Sequence, residues 1–499
     1  MAPGAQPERP QMVQGSVPWP DLADALGRYR PLFGEVVDDW DGFIDSLRGP
    51  LATCLWTRSG RTDGAALQAL LAEQGVPSTP VPWLAGAPGT ALTLPPGFKA
   101  GQHWWYCAGL AHAQEAVSQL PVLLLDLAPG QRVLDLCAAP GGKTAQIALS
   151  LGNRGTLLAN DFAMDRIAAL QGNLDRLGVV NVTTTRWDGG NFPVAAGPFD
   201  RILVDAPCSS EGTLRRNPGL VSKLGPERST RMAGRQRALL RKAVKLCRPG
   251  GRILYSTCTF APEENELVVA DVLAEQDGRL RLLPLTLPGL GTGPGVTHWA
   301  GRTLPQTLAG CLRIWPHHND TGGFFIAVLE KDTAAPGVPA GEPLPLELEP
   351  DDAAWCHALA EHYGIAEPIT EQFRAHRQTR RGLHLAARDH APPAAPLPEG
   401  SGLFFHRTNI RPPKLTTAGA LLLGPQATRQ VLDLDAPDLR DAYLRRQTLT
   451  PTAAQRAYCR PGQVIVRHRG FPLGVAVLHR SGELESLFPR KWSGCTAAG

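Results

Sequence analysis

The chain has 499 residues, 43% hydrophobic and 19% charged, with a formal net charge of +4 and a pI near 8.5. That length allows several domains, and the mildly basic balance permits nucleic acid as a partner without requiring it. No run of about 18 or more apolar residues occurs, which excludes a membrane-spanning helix.

The opening stretch MAPGAQPERPQMVQG has no apolar signal core. The expectation is therefore a cytoplasmic protein with free thiols. None of the ten cysteines forms C-x-x-C, so no metal site is expected. Residues 1–35 begin rich in Pro and Gln and read as a frayed extension. Residues 36–100 combine a helical segment, DGAALQALLAEQG (63–75), with the Pro-rich TPVPWLAGAPG and read as a small α/β module. Within 101–331 strands alternate with helices. RVLDLCA (132–138), GTLLAND (155–161), NVTTTRWD (181–188), FDRILVDA (199–206), RILYSTC (252–258) and GGFFIAVLEK (322–331) read as strands. KTAQIALSL (143–151), MDRIAALQGNLDRLG (164–178), RQRALLRKAVKLC (235–247) and PEENELVVADVLAEQ (262–276) read as helices, the third stopped by Pro249-Gly250-Gly251. Such alternation implies an α/β fold, a parallel sheet covered by helices. Residues 332–350 form a Pro-rich linker without expected structure. A middle domain, 351–415, carries the basic, helix-like EQFRAHRQTRRGLHLAARDH (371–390). A β-rich domain, 416–499, closes the chain. The Pro-rich breaks lead one to expect that the core folds without this tail.

The segment LDLCAAPGGKT (134–144) is a strand, a Gly-rich turn and a helix start. Its backbone, from Cys137, Ala138, Ala139 and Pro140 through Gly141, Gly142 and Lys143, suits close approach to a ligand. It is neither G-x-G-x-x-G nor a phosphate loop, so a polyphosphate is disfavoured. Asp161, Asp188 and Asp205 end the next three strands and line the carboxyl edge of the sheet. Asp161 is placed to hold ribose hydroxyls and Asp188 an adenine amine. The ligand that suits this set is a nucleoside with a zwitterionic tail, S-adenosylmethionine.

Two cysteines follow strand ends, Cys208 in ILVDAPCSS and Cys258 in RILYSTCTF. Either is a candidate nucleophile. A helix beginning near Pro262 is expected to favour the Cys258 thiolate. Taken together, DLCAAPGGKT, DAPCSSEGTLRRNP, RPGGRILYSTCT and GGFFIA resemble the Sun/Fmu family of RNA cytosine-C5 methyltransferases, over roughly residues 100–330. ALLLGPQAT (420–428), VIVRHRGFPLGV (464–475) and SLFPRKW (486–492) are similar to the small-subunit ribosomal RNA branch with its PUA-like C-terminal domain. The resemblance implies a Rossmann-like core and 5-methylcytosine formation in 16S rRNA, acting as a monomer on RNA or an assembling subunit. It implies Cys258 as nucleophile, Cys208 as the thiol that aids release, Asp205 at the cytosine edge, and Lys143 assisting. The competing readings are a tRNA cytosine methyltransferase and a non-catalytic RNA-binding assembly factor.

Candidates for gripping RNA are residues 36–100, the arginines Arg374, Arg377, Arg380, Arg381 and Arg388, and the tail residues Arg467, His468, Arg469, Arg490 and Lys491. Trp104, Trp105 and Tyr106 read either as a base-stacking platform or as packing. His317-His318 shows no partner at ligand spacing and reads as a surface loop.

Overall fold

The computed structural model describes residues 22–85, 89–379, 382–408 and 414–492. β1 (Arg132–Asp135), β2 (Thr156–Asp161), β3 (Val182–Arg186), β4 (Phe199–Asp205) and β5 (Cys247–Thr257) run parallel in the order β3-β2-β1-β4-β5. β6 (Phe324–Lys331) joins β5 antiparallel, with Phe325 opposite Thr257. The helices between them are α1 (Gly142–Ser150), α2 (Met164–Leu177), α3 (Pro226–Leu246) and α4 (Glu266–Ala274). Val133, Leu134, Leu157, Leu158, Ile202, Leu203, Ile253 and Leu254 are all buried. Continuous apolar runs of this kind belong to strands covered on both faces. The chain winds outward from β1 in both directions, so a crevice opens at the carboxyl ends of β1, β2 and β4.

Several expectations change. The helix expected at 235–247 starts at Pro226, with proline in its first turn, where its missing N–H costs nothing. Pro249-Gly250-Gly251 lies inside β5. The buried Lys331 ammonium donates to Val244 O and Cys247 O at 3.0 and 2.9 Å, and so closes the end of α3. The fourth helix begins at Glu266, not near Pro262; residues 262–265 form turns.

Residues 22–35 are not frayed. Leu22, Leu26, Tyr29 and Leu32 are buried in the same core cluster as Ile202, Val204 and Ile253. Residues 1–21 lie outside the described residues. The basic stretch 371–390 is not a helix. A single turn, Ile369–Gln372, precedes antiparallel strands Arg374–Thr379 and Gly382–Ala386, with His376 opposite His384. Leu383 and Leu385 are both buried, so the two-residue period prevails over the helix-forming composition.

The first module is a four-stranded antiparallel sheet in the order Thr79–Pro80, Ala91–Leu94, Thr53–Thr57, Ala111–Ala113. A second four-stranded sheet near the C-terminus contains Gly462–His468 and Phe471–Leu478. These two modules share one hydrophobic core, in which Leu55, Trp104 and Trp105 meet Leu432, Val466 and Leu473. Strand Pro398–Ser401 extends the central sheet beyond β3. The segment expected to be a structureless linker lies against its surroundings: Leu344 N donates to Pro392 O at 2.7 Å, and Ala394 N to Glu342 O at 2.8 Å. The Pro-rich breaks therefore do not separate independent bodies. Cys107 is disulfide-bonded, unlike the free thiols expected. Among the described residues, no helix is long and apolar enough to cross a membrane.

Candidate active site

The chain leaves β1 at Asp135 and turns through Cys137–Gly142 into α1. Gly141 has φ +103°, and a Cβ there would lie 2.7 Å from Leu170 Cδ1, so only glycine makes this turn. Beneath it Asp135 is buried and accepts from Thr144 Oγ1 at 2.7 Å; burial lifts its pKa to about 7. Asp161 braces the turn from the next strand. It accepts from Ala139 N at 3.1 Å and Ala163 N at 3.2 Å, and pairs with Arg166 at 3.3 Å. Asp188 accepts from Gly190 N at 3.1 Å and Asn191 Nδ2 at 2.7 Å.

Lys143, in the first turn of α1, spans the crevice. Its ammonium donates to Asp205 Oδ2 at 2.8 Å and Ser118 Oγ at 2.7 Å. The other oxygen of Asp205 accepts from Ser256 Oγ at 2.8 Å, across the β4–β5 pair. Cys208 and Cys258 follow these neighbouring strand ends, and their sulfurs are 3.4 Å apart. Cys208 is buried while Cys258 is partly exposed. The hydrogen bond between them pulls the Cys258 thiol below its ordinary value and pushes Cys208 well above, a shift that burial reinforces. Cys258 is thus the more acidic thiol of the pair. The first cause of the Cys258 shift is the neighbouring thiol, not the helix start that the sequence suggested, which lies at Glu266.

A cavity of about 790 Å³ lies above these groups, lined by Cys137, Ala139, Asp161, Asp188, Asp205, Cys208 and Cys258. Ala138, Pro140, Gly142 and Lys143 face a smaller space of about 210 Å³ on the other side of the turn, which Cys137, Ala139 and Asp205 also line. Gly141 is the pivot between them. Seven of the site residues expected from sequence thus line the larger cavity, while Ala138, Pro140, Gly142 and Lys143 line the smaller space.

Sequence reading missed Phe162, which is 76% exposed and lines the large cavity, and Trp187, 44% exposed, beside Asp188. An aromatic residue next to a strand-end carboxylate was the available signal. It also missed Ser118, contributed from ahead of β1, for which no local pattern exists.

Other candidates fall elsewhere. Trp104 and Trp105 are buried, with Trp104 edge-on to His468 at 4.7 Å, so they pack rather than stack on bases. Arg377 is paired with the buried Asp352, Arg467 binds Asp433 through two bonds of 3.0 Å, and Arg469 pairs with Glu73 at 2.7 Å. Arg374 donates to His390 O, and Arg388 to Thr370 O and Glu371 O. These cations brace the fold. Arg380 and Arg381 lie outside the described residues. His317 and His318 do find a partner, Asp38, brought in from far along the chain; His318 Nε2 is 2.8 Å from its carboxylate.

Residues 122–330 match the family described as 16S rRNA methyltransferase RsmB/F. The chain is 32% identical over 466 residues to a ribosomal RNA small subunit methyltransferase F of Klebsiella pneumoniae (strain 342), covering 91% of this chain and 92% of that one. It is 37% identical over 334 residues to the protein of that name in Salmonella paratyphi C, covering 66% and 67%. A crystal structure of a methyltransferase homologue from Pyrococcus horikoshii is similar at 31% identity and TM-score 0.54, over 62% of this chain and 99% of that one.

The family's cofactor is S-adenosylmethionine, and the cavity fits it. Carboxylates at three strand ends suit hydroxyls, an amine and an ammonium, and repel phosphate. The exposed Phe162 ring and the side chains of Leu136 and Leu239 offer apolar walls for a purine. A Cβ at Gly189 would collide with Leu239 at 2.6 Å, so the backbone there leaves the cavity its width. With an overall match that takes in nearly the full length of both chains, this protein belongs to the RsmB/F family of S-adenosylmethionine-dependent RNA methyltransferases.

Proposed function

We propose that this enzyme methylates C5 of a cytosine in 16S ribosomal RNA, in the cytoplasm, through a covalent bond between Cys258 and C6 of the base. The observation that carries this reading is the pair of sulfurs 3.4 Å apart at the cofactor cavity, beside the Lys143–Asp205 pair. Carbon 5 of cytosine is a poor nucleophile, and a thiolate bonded to C6 makes it enamine-like. Cys258, more exposed and with its pKa lowered by the neighbouring thiol, is the attacking group. Asp205 and Lys143 face the polar edge of the ring and meet the charge that addition places there. S-adenosylmethionine supplies an electrophilic methyl group, aligned by the Cys137–Gly142 turn.

Release then requires loss of the C5 proton and cleavage of the C6–S bond. Once Cys258 is bonded to carbon, it no longer accepts the hydrogen bond that raised the Cys208 pKa. Cys208 gives its proton to solvent and accepts the C5 proton. The C5–H electron pair forms the C5=C6 double bond, and the C6–S pair returns to Cys258 as thiolate. A base inside a duplex cannot reach this cavity, so the target is unpaired or flipped out. The accessory sheets are assigned to holding the RNA, with 36–100, 351–415 and the PUA-like 416–499 as functional divisions.

The test is a comparison of two variants on small-subunit ribosomal RNA with S-adenosylmethionine. Cys258→Ala is expected to lose both methylation and the covalent RNA adduct. Cys208→Ala is expected to accumulate an adduct that survives denaturing electrophoresis and contains 5-methylcytosine. The reverse pattern exchanges the two thiols, and adducts in neither variant remove the covalent route.

A further inference from the structure

The two cysteine loops are tied together by one buried carboxylate. Glu211 follows Cys208 by three residues and is 1% exposed. Its Oε2 accepts from Thr259 Oγ1 at 3.0 Å and from Phe260 N at 3.2 Å, on the two residues after Cys258. The same carboxylate accepts from the Tyr29 hydroxyl, 2.7 and 2.9 Å from its two oxygens. Tyr29 comes from the N-terminal segment and is buried, stacked on Trp299 at 6.0 Å. Two shorter ties lie alongside: Gly212 N donates to Cys258 O at 2.9 Å, and Ser209 Oγ lies 2.6 Å from Thr259 Oγ1.

We propose that Glu211, locked in place by Tyr29, is a positioning residue that sets the distance between the attacking and the releasing thiol. The proposal rests on the assignment of Cys258 to attack and Cys208 to release. Glu211 touches no reacting atom; it acts through the two loops. A carboxylate suits the place because three donors from two segments, Tyr29 and Thr259-Phe260, converge on it. Glutamine has the same shape but is uncharged and carries an NH2 group in place of one oxygen, so the same set of donors meets a weaker acceptor and a competing donor. A buried donor left without a partner is costly in a low-dielectric interior, so the loops move apart to relieve it. Addition at C6 needs Cys258 and the base, which is mobile and can follow. Release needs Cys208 at a fixed place relative to C5, and a displacement of about 0.5 Å is enough to impair such a step. Loss of Glu211 therefore falls on release.

Glu211→Gln and Tyr29→Phe are tested in the full chain with small-subunit ribosomal RNA and S-adenosylmethionine. The measurements are kcat, KM for RNA, denaturation-resistant adduct and melting temperature. Glu211→Gln is expected to lower kcat by about 10- to 100-fold, with KM for RNA unchanged and adduct above the wild-type level. Tyr29→Phe is expected to move in the same direction by less. In the Cys208→Ala background, Glu211→Gln is expected to add no further adduct, because the distance it sets no longer has a second thiol to serve. A merely structural role lowers the folded fraction and kcat without accumulating adduct. An unchanged kcat, or a lowered one without excess adduct, overturns the proposal. If Glu211→Gln does not fold, Tyr29→Phe decides on the same readout. Failure of the underlying reading is distinct: Cys208→Ala would then form no adduct, or Cys258→Ala would retain one, whatever the Glu211 variants do.

Discussion

At the scale of single residues the proposed chemistry rests on two sulfurs in contact. The hydrogen bond between Cys208 and Cys258 lowers the Cys258 pKa and raises that of Cys208. Cys258 should therefore react first with iodoacetamide near neutral pH, as identified by peptide mass spectrometry. Removing the donor in Cys208→Ala raises the Cys258 pKa, so the midpoint of its alkylation profile should shift to higher pH. An unmoved midpoint would mean that the neighbouring thiol is not what lowers it. Asp161 has two tasks, since it faces the cofactor cavity and also accepts from Ala139 N in the turn. Asp161→Ala should weaken S-adenosylmethionine binding by about 1.5–3 kcal/mol, the worth of hydrogen bonds to a charged group. Isothermal calorimetry on the folded variant measures it directly.

At the scale of elements, two buried polar groupings carry predictions. Arg313 and Glu266 form an ion pair, 2.6 Å long and wholly buried, and Arg313 also donates to Phe260 O at 2.8 Å. It thereby anchors the loop after Cys258 to α4. Removing one partner strands a charge, so Arg313→Ala should cost about 3–5 kcal/mol of stability by denaturant titration. The second grouping lies around the antiparallel strands Arg374–Thr379, Gly382–Ala386 and Leu403–Arg407, where burial lowers the pKa of His376 and His406 to about 4 and of His384 and His390 to about 3. These rings are neutral when folded. Unfolded histidines take up protons below about pH 6.5, so the stability they contribute is complete above that pH. It falls as pH drops toward 4, because the unfolded chain binds more protons. Hydrogen exchange across residues 374–407 should show protection falling from pH 7 to pH 5. Replacing His384 with Phe should flatten that slope. A pH-independent protection in the wild-type chain would contradict the burial of these rings.

At the scale of the whole molecule, the N-terminal and C-terminal modules are bound through common apolar surface. Trp104 and Leu55 on one side meet Val466 and Leu473 on the other, and Pro398–Ser401 supplies an edge strand to the central sheet. Deleting residues 401–499 would expose this surface and remove part of that strand. The truncated chain is expected to melt at lower temperature than the full chain and to aggregate, which differs from the independence that the Pro-rich breaks imply. Differential scanning calorimetry of both chains decides the matter; an unchanged melting transition for the core would restore that independence.

The local pattern was sufficient wherever neighbours in sequence are neighbours in function. The strands β1 to β6, the glycine turn at 141 and the strand-end positions of Asp161, Asp205, Cys208 and Cys258 were all legible, because a parallel sheet reads as apolar runs ended by polar residues. The joint motif then identified the chemistry. What sequence spacing could not carry is any contact made across the chain. Ser118 reaches Lys143, Tyr29 reaches Glu211 and Asp38 reaches His318 only after folding. The basic stretch 371–390 became a hairpin because burial of Leu383 and Leu385 outweighs a helix-forming composition. Of the arginines that looked available for RNA, Arg374, Arg377, Arg388, Arg467 and Arg469 found carboxylates and carbonyls of the chain itself. The two thiols were brought together in the same way. Each cysteine follows a strand end in a similar local setting, and only the folded chain sets their sulfurs 3.4 Å apart, with one more buried than the other.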